Sequence, residues 1–201
     1  MSLRERKKAR LRALLVQISQ RLFQEQGFQA TTLEQICTEA EIAPQTLLRY
    51  FESKQHLALA PTFDGLARFR SELSSPTRAD SVLDCWRRLV AEAASGSGLF
   101  RYQRLVFETP ALFAALATAG AELEDLLAAE LARERNSEEG DLRPRMLAAL
   151  LVGATQSVVR EWLGRGGTEP LVPRLLAVAD LAEVAFASDE GTPLLMSRIR
   201  K

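Results

Sequence analysis

Thr32, Gln45, Thr46, Arg49, Tyr50 and Lys54 stand close together in the first third of the chain, and their chemistry matches the edges and phosphates of a DNA duplex. A glutamine can pair with adenine through two hydrogen bonds. A threonine methyl can meet the methyl of thymine, and an arginine can take either guanine or a phosphate. Gln45 and Thr46 are therefore the candidates for base edges, with Arg49 divided between base and backbone. Thr32, Tyr50 and Lys54 suit phosphate oxygens, to which helix N-termini add backbone N–H groups. Tyr50 has a second reading, packing against a neighbouring helix. Pro44 completes the set by marking where the reading helix begins.

These side chains need elements to aim them, and the stretch TTLEQICTEAEIAPQTLLRYFESK, residues 31–54, predicts two short helices joined by a tight turn. Thr32 is an N-cap with Gln35 three residues on, and Leu33, Ile36 and Cys37 recur at helical spacing before Ala40. The second helix runs from Pro44 to Phe51. Leu47 and Phe51, four apart, face inward and leave Gln45, Thr46, Arg49 and Tyr50 outward. Ahead of the pair, Leu11, Leu14, Leu15, Ile18, Leu22 and Phe23 form one apolar stripe on a helix over 8–26, which Gly27 stops. Behind it, a helix from Ser53 or Lys54 to Leu73 carries Leu57, Leu59, Phe63, Leu66 and Phe69. Pro61 lies inside that pattern and interrupts it at the preceding residue.

The segment GFQATTLEQICTEAEIAPQTLLRYFESKQHL resembles the N-terminal domain of TetR-type (tetracycline-repressor family) transcriptional regulators. The resemblance covers about residues 8–60. Its anchors are Phe23, Gly27, Phe28, Thr31, Thr32, Ile36, Ala40, Ile42, Thr46, Leu47, Tyr50, Phe51, Lys54 and Leu57. It implies an all-α fold, with a three-helix helix-turn-helix DNA-binding domain over 1–53 and a helical ligand-binding and dimerisation domain over 54–188. A tail follows over 189–201. It further implies a homodimer on a palindromic operator in double-stranded DNA, repression by default, and release by a small-molecule effector. Glu41 stands where the family commonly has Gly, Ala43 where it often has a capping Ser, and Leu48 where a Tyr typically reaches a phosphate. Leu48 implies fewer backbone contacts or a compensating one from Arg49.

The 201 residues are 47% hydrophobic, enough for a sizeable core in one or two domains, and 26 basic residues balance 26 acidic ones. Residues 1–60 nevertheless carry an excess of +3, which leaves −3 for the remainder. The excess gathers in RERKKARLR, expected as a mobile basic arm that either touches phosphate and minor groove or is a solvated end. Two lone cysteines, Cys37 and Cys85, and uncharged runs too short to span a bilayer point to a reduced, cytoplasmic protein.

Further helices are expected over 80–94, 99–108, 110–135, 141–165 and 170–187, divided by Gly, Pro and Ser signals. The last two are apolar around most of their circumference. Leu151, Thr155, Val158, Val159, Trp162, Leu175, Val178, Leu181 and Ala182 are the candidates for a dimer surface; the alternative is that they fill a monomer core. Phe63, Leu66, Phe69, Trp86, Leu89, Phe100, Tyr102, Phe107, Phe113 and Gln156 are the candidates to line an effector pocket, against the alternative of plain core. With His56 the lone histidine, and no phosphate loop, CxxC, HExxH or GxSxG string, neither an enzyme nor a metal or other cofactor is expected. A helical dimer that binds a small molecule or protein with weakened or no DNA binding is the competing reading.

Overall fold

The computed structural model describes residues 2–95, 98–138 and 140–187. Their regular structure is α-helical throughout: α1 (Leu3–Gln26), α2 (Leu33–Glu39), α3 (Pro44–Leu48), α4 (Lys54–Ala58), α5 (Ala60–Leu73), α6 (Val82–Ala93), α7 (Leu99–Glu108), α8 (Pro110–Glu134), α9 (Arg143–Gly164) and α10 (Leu171–Ala187). No helix among the described residues is long and apolar enough to cross a membrane. The expected tail over 189–201 lies outside the described residues.

Contacts divide the chain into two compact units, residues 1–67 with 96–119, and residues 68–95 with those from 120 onward. The division does not fall between residues 53 and 54 as expected. The reason is apolar burial: Leu57, Ala58, Leu59 and Ala60 are fully buried in one core with Leu15, Ile36, Leu47 and Phe51. Val106 and Leu112 join that core from α7 and α8.

The basic stretch expected as a mobile arm is instead the first turns of α1. Ser2 caps the helix, accepting the Glu5 N–H at 3.2 Å while the Glu5 carboxylate accepts the Ser2 N–H at 2.5 Å. Arg4, Arg6, Lys7, Lys8 and Arg10 ride exposed on this start. Gly27, at φ +87°, closes α1 by donating to Phe23 O at 3.1 Å, a left-handed φ that a side chain would strain. The interruption before Pro61 falls at Leu59, one residue earlier than expected, and places the proline in the first turn of α5, where its missing N–H costs nothing.

The second unit is a helical core of Leu73, Val82, Cys85, Trp86, Leu127, Leu147, Leu151, Leu175 and Ala179, with α10 packed on both α6 and α9. Ion pairs tie its periphery. Arg87 of α6 reaches Asp180 of α10 at 2.9 Å and also pairs with Glu183. Arg78, mostly buried, meets Glu134 of α8 at 3.1 Å, and the same carboxylate accepts the Val82 N–H at 2.9 Å. A buried arginine so paired is held charged by its partners.

Candidate nucleic-acid interface

The turn between α2 and α3 is built from caps. Thr32 accepts the Gln35 N–H at 3.1 Å and the Gln35 side chain accepts the Thr32 N–H at 2.8 Å. Because the hydroxyl is used only as an acceptor there, its proton stays available on the exposed surface for a phosphate oxygen. Thr31, buried beneath, donates to Gly27 O at 2.9 Å and fixes the approach of α2 to α1. Arg21 of α1 adds a paired link to Glu25 and Glu39. Glu41 takes φ +54° in the turn, the left-handed conformation for which glycine is the usual choice. Ala43, at the N-cap of α3, supplies no side-chain hydrogen bond, so the first N–H groups of that helix point outward unpaired by a side chain.

α3 is one turn shorter than expected. It ends at Leu48, and Tyr50 and Phe51 both donate to Leu47 O, at 2.8 and 3.0 Å, so the chain tightens before the next helix. Leu47 and Phe51 are fully buried and lock the element to the core. Pro44, Gln45, Leu48 and Arg49 are exposed; Thr46 and Tyr50 are half-buried. The expected base-reading set thus stands on one small outward face, with Tyr50 also packed on the core of its unit.

Lys54 differs from its expected part. Its ammonium donates to Phe28 O at 2.8 Å and Thr31 O at 2.9 Å and lies 4.3 Å from the centre of the Phe28 ring. It staples α4 to the loop before α2, and a phosphate would find two of its three donors already engaged. Partial burial pulls its pKa below the ordinary lysine value. Arg12, the last residue of the basic stretch expected as an arm, lies 5.1 Å over the Phe51 ring and pairs with Asp64 of α5. No local signal marks that pairing, since the partners are 52 residues apart.

The residues expected to line one effector pocket fall into both units. Phe63, Leu66, Phe100, Tyr102, Phe107 and Phe113 belong to the first, and Phe69, Trp86, Leu89 and Gln156 to the second. In the first, the Tyr102 hydroxyl meets Thr62 Oγ1 at 2.7 Å, burial pushes its phenol pKa up, and Phe63 stands edge-on to His56. In the second, the Trp86 ring is edge-on to Phe69 at 6.1 Å and is 2% exposed. Its indole N–H and the Thr155 hydroxyl are buried without a hydrogen-bond partner. An open groove of about 550 Å³ on the second unit is lined by Arg68, Glu72, Arg78 and Asp80 with small polar neighbours, and by none of the expected residues.

The expected dimer set needs a correction as well. Leu151, Val159, Trp162, Leu175, Val178 and Ala182 are buried within the protomer, because α9 and α10 pack on each other and on α6. Thr155 and Val158 are half-buried, and Leu181 alone of the set is exposed, at 70%. Among the described residues, the large apolar side chains turned outward here are Leu142 at the N-cap of α9, Met146 and Leu150 within it, and Leu181 and Val184 on α10.

Two family models match the chain: one for bacterial regulatory proteins of the tetR family over residues 17–60, and one for the MftR C-terminal domain over residues 97–187. The HTH-type transcriptional regulator TcmR of Streptomyces glaucescens is 34% identical over 179 residues, 83% of this chain and 79% of that protein. Among solved structures, SmeT, the repressor of the Stenotrophomonas maltophilia efflux pump SmeDEF, is similar in fold at a TM-score of 0.66 and 19% identity, covering 89% of this chain and 91% of SmeT. Thermus thermophilus FadR in complex with lauroyl-CoA is similar at a TM-score of 0.59 and 21% identity, covering 90% of this chain and 97% of that one.

Proposed function

Because the chain belongs to the TetR family of DNA-binding transcriptional regulators, we propose that it acts in the cytoplasm as a homodimeric repressor on a palindromic operator and is released by a small, mostly apolar effector. The observation that carries the DNA reading is the division of α3 and the turn after it: Leu47 and Phe51 locked inward, Gln45 and Arg49 held outward, with the capping Thr32 also exposed. Gln45 reads adenine, Arg49 takes guanine or phosphate, and the half-buried Thr46 and Tyr50 steady the element while contacting the backbone, Thr46 thereby giving up the base edge expected of it. A two-fold dimer doubles this short reading surface. Its half-sites lie about 34 to 36 Å apart, one helical turn of B-DNA.

Selection of bound sequences from random duplex DNA, repeated across salt concentrations, tests this. A palindrome whose affinity falls steeply with salt is expected. Enrichment of nothing, or of a sequence bound equally at all salt concentrations, would sink the operator reading.

The effector reading rests on the second unit. An interior polar atom without a partner costs roughly 1 to 3 kcal/mol, and Trp86 Nε1 and Thr155 Oγ1 are two such atoms inside an apolar core. An indole N–H can only donate, so the molecule that relieves it presents an acceptor. SmeT has been solved with triclosan and FadR with lauroyl-CoA, ligands that each include an apolar part. Neutral aromatic ketones, screened for release of the protein from its operator, are the first compounds to try; release by an active one should weaken in Trp86→Phe.

A further inference from the structure

Resting on the operator reading above, we infer that Leu48 is a specificity determinant that meets the C5-methyl group of a thymine in each half-site. Leu48 is 52% exposed, although it is a large aliphatic side chain at the end of the reading helix. It lies three residues after Gln45 and four after Pro44, spacings that put all three on one side of α3. Leu47 beside it, and Phe51 beyond the end of the helix, are buried instead. Leucine has neither donor nor acceptor, so a phosphate gains nothing from it. The apolar group that the major groove offers is the thymine methyl, and contact with it removes carbon surface from water on both sides. Pro44 widens the apolar strip, while Gln45 and Arg49 flank it with hydrogen-bonding groups. The half-site therefore holds a thymine within one or two base pairs of the position that Gln45 reads.

The test uses the full-length protein and its selected operator, with thymines replaced by deoxyuridine one symmetric pair at a time, which deletes the methyl and leaves every hydrogen-bonding edge unchanged. At one position the wild type should lose about fourfold in affinity per half-site, the equivalent of one buried carbon. Leu48→Ala should bind the unmodified operator with that same loss and be indifferent to deoxyuridine there, while melting as the wild type does. A flat deoxyuridine profile, or an equal penalty in wild type and Leu48→Ala, would overturn the assignment. Failure to select any operator would remove the operator reading and this one together, whereas a flat profile on a tightly bound operator removes only this one.

Discussion

Arg12 of α1 and Asp64 of α5 meet in a two-pronged ion pair, Nη1 to Oδ2 at 2.6 Å and Nη2 to Oδ1 at 2.8 Å, while the same guanidinium covers the Phe51 ring. One cation thus touches the residue that anchors the reading element and the helix that leads away from it. The pair is partly exposed, so its worth is modest: about 1 kcal/mol for the bidentate contact and up to about 1 more for the ring. Arg12→Ala should lower the stability of the protein in urea by roughly 1 to 2 kcal/mol and weaken operator binding. Asp64→Asn, which keeps the cation over Phe51, should lose about half as much. Equal losses in the two variants would remove the ring contact from this account.

Glu41 holds a left-handed backbone that costs a side-chain residue about 1 kcal/mol. Glu41→Gly should therefore raise the melting temperature, and by removing an exposed carboxylate next to the reading surface it should also tighten operator binding at low salt. A fall in melting temperature would mean that the glutamate makes a compensating contact.

Lys54 and Arg49 separate frame from reader. With its ammonium on two backbone carbonyls, Lys54 should matter to stability: Lys54→Met is expected to lose about 1 to 3 kcal/mol and to leave the salt dependence of DNA binding unchanged. Arg49→Ala should do the reverse, leaving the melt alone and reducing the salt slope by about 1 if it meets a phosphate, or relaxing base preference at one position if it meets guanine. Titration of the binding constant against salt for both variants decides this. A changed slope in Lys54→Met would return that residue to the phosphate contacts.

Much of the fold was legible because its punctuation is local. Gly27, Pro44 and Pro110 mark helix ends within a residue or two of where they fall, since caps and breakers act on their own turn. The start of α1 was legible too: the Ser2 and Glu5 pair is a capping-box signature, overlooked beside the run of basic residues. The destinations of long side chains were not. Lys54 finds carbonyls 23 and 26 residues away and Arg12 a carboxylate 52 away, pairings that no periodicity encodes. In α9 and α10 the difficulty was different. Helices apolar on nearly every side carry no polar reference, so spacing alone does not say which apolar residues face inward.

That ambiguity is what the dimer prediction resolves. Leu181 and Val184 stand three apart on α10 at 70 and 72% exposure, and Leu142, Met146 and Leu150 recur at intervals of four from the N-cap of α9 into the helix. Such side chains lose nothing in the isolated protomer when made polar, whereas a second copy must desolvate whatever replaces them. Leu181→Asp should leave a folded protein with an unchanged helical circular dichroism spectrum and halve the mass in analytical ultracentrifugation. Val178→Asp, one turn away but buried, should instead unfold the second unit, because it forces a carboxylate into the core. If Leu181→Asp, and Val184→Asp after it, sediment at the mass of the wild type, the outward strip of α10 is not the dimer surface, and the wild-type mass itself says whether there is a dimer to explain.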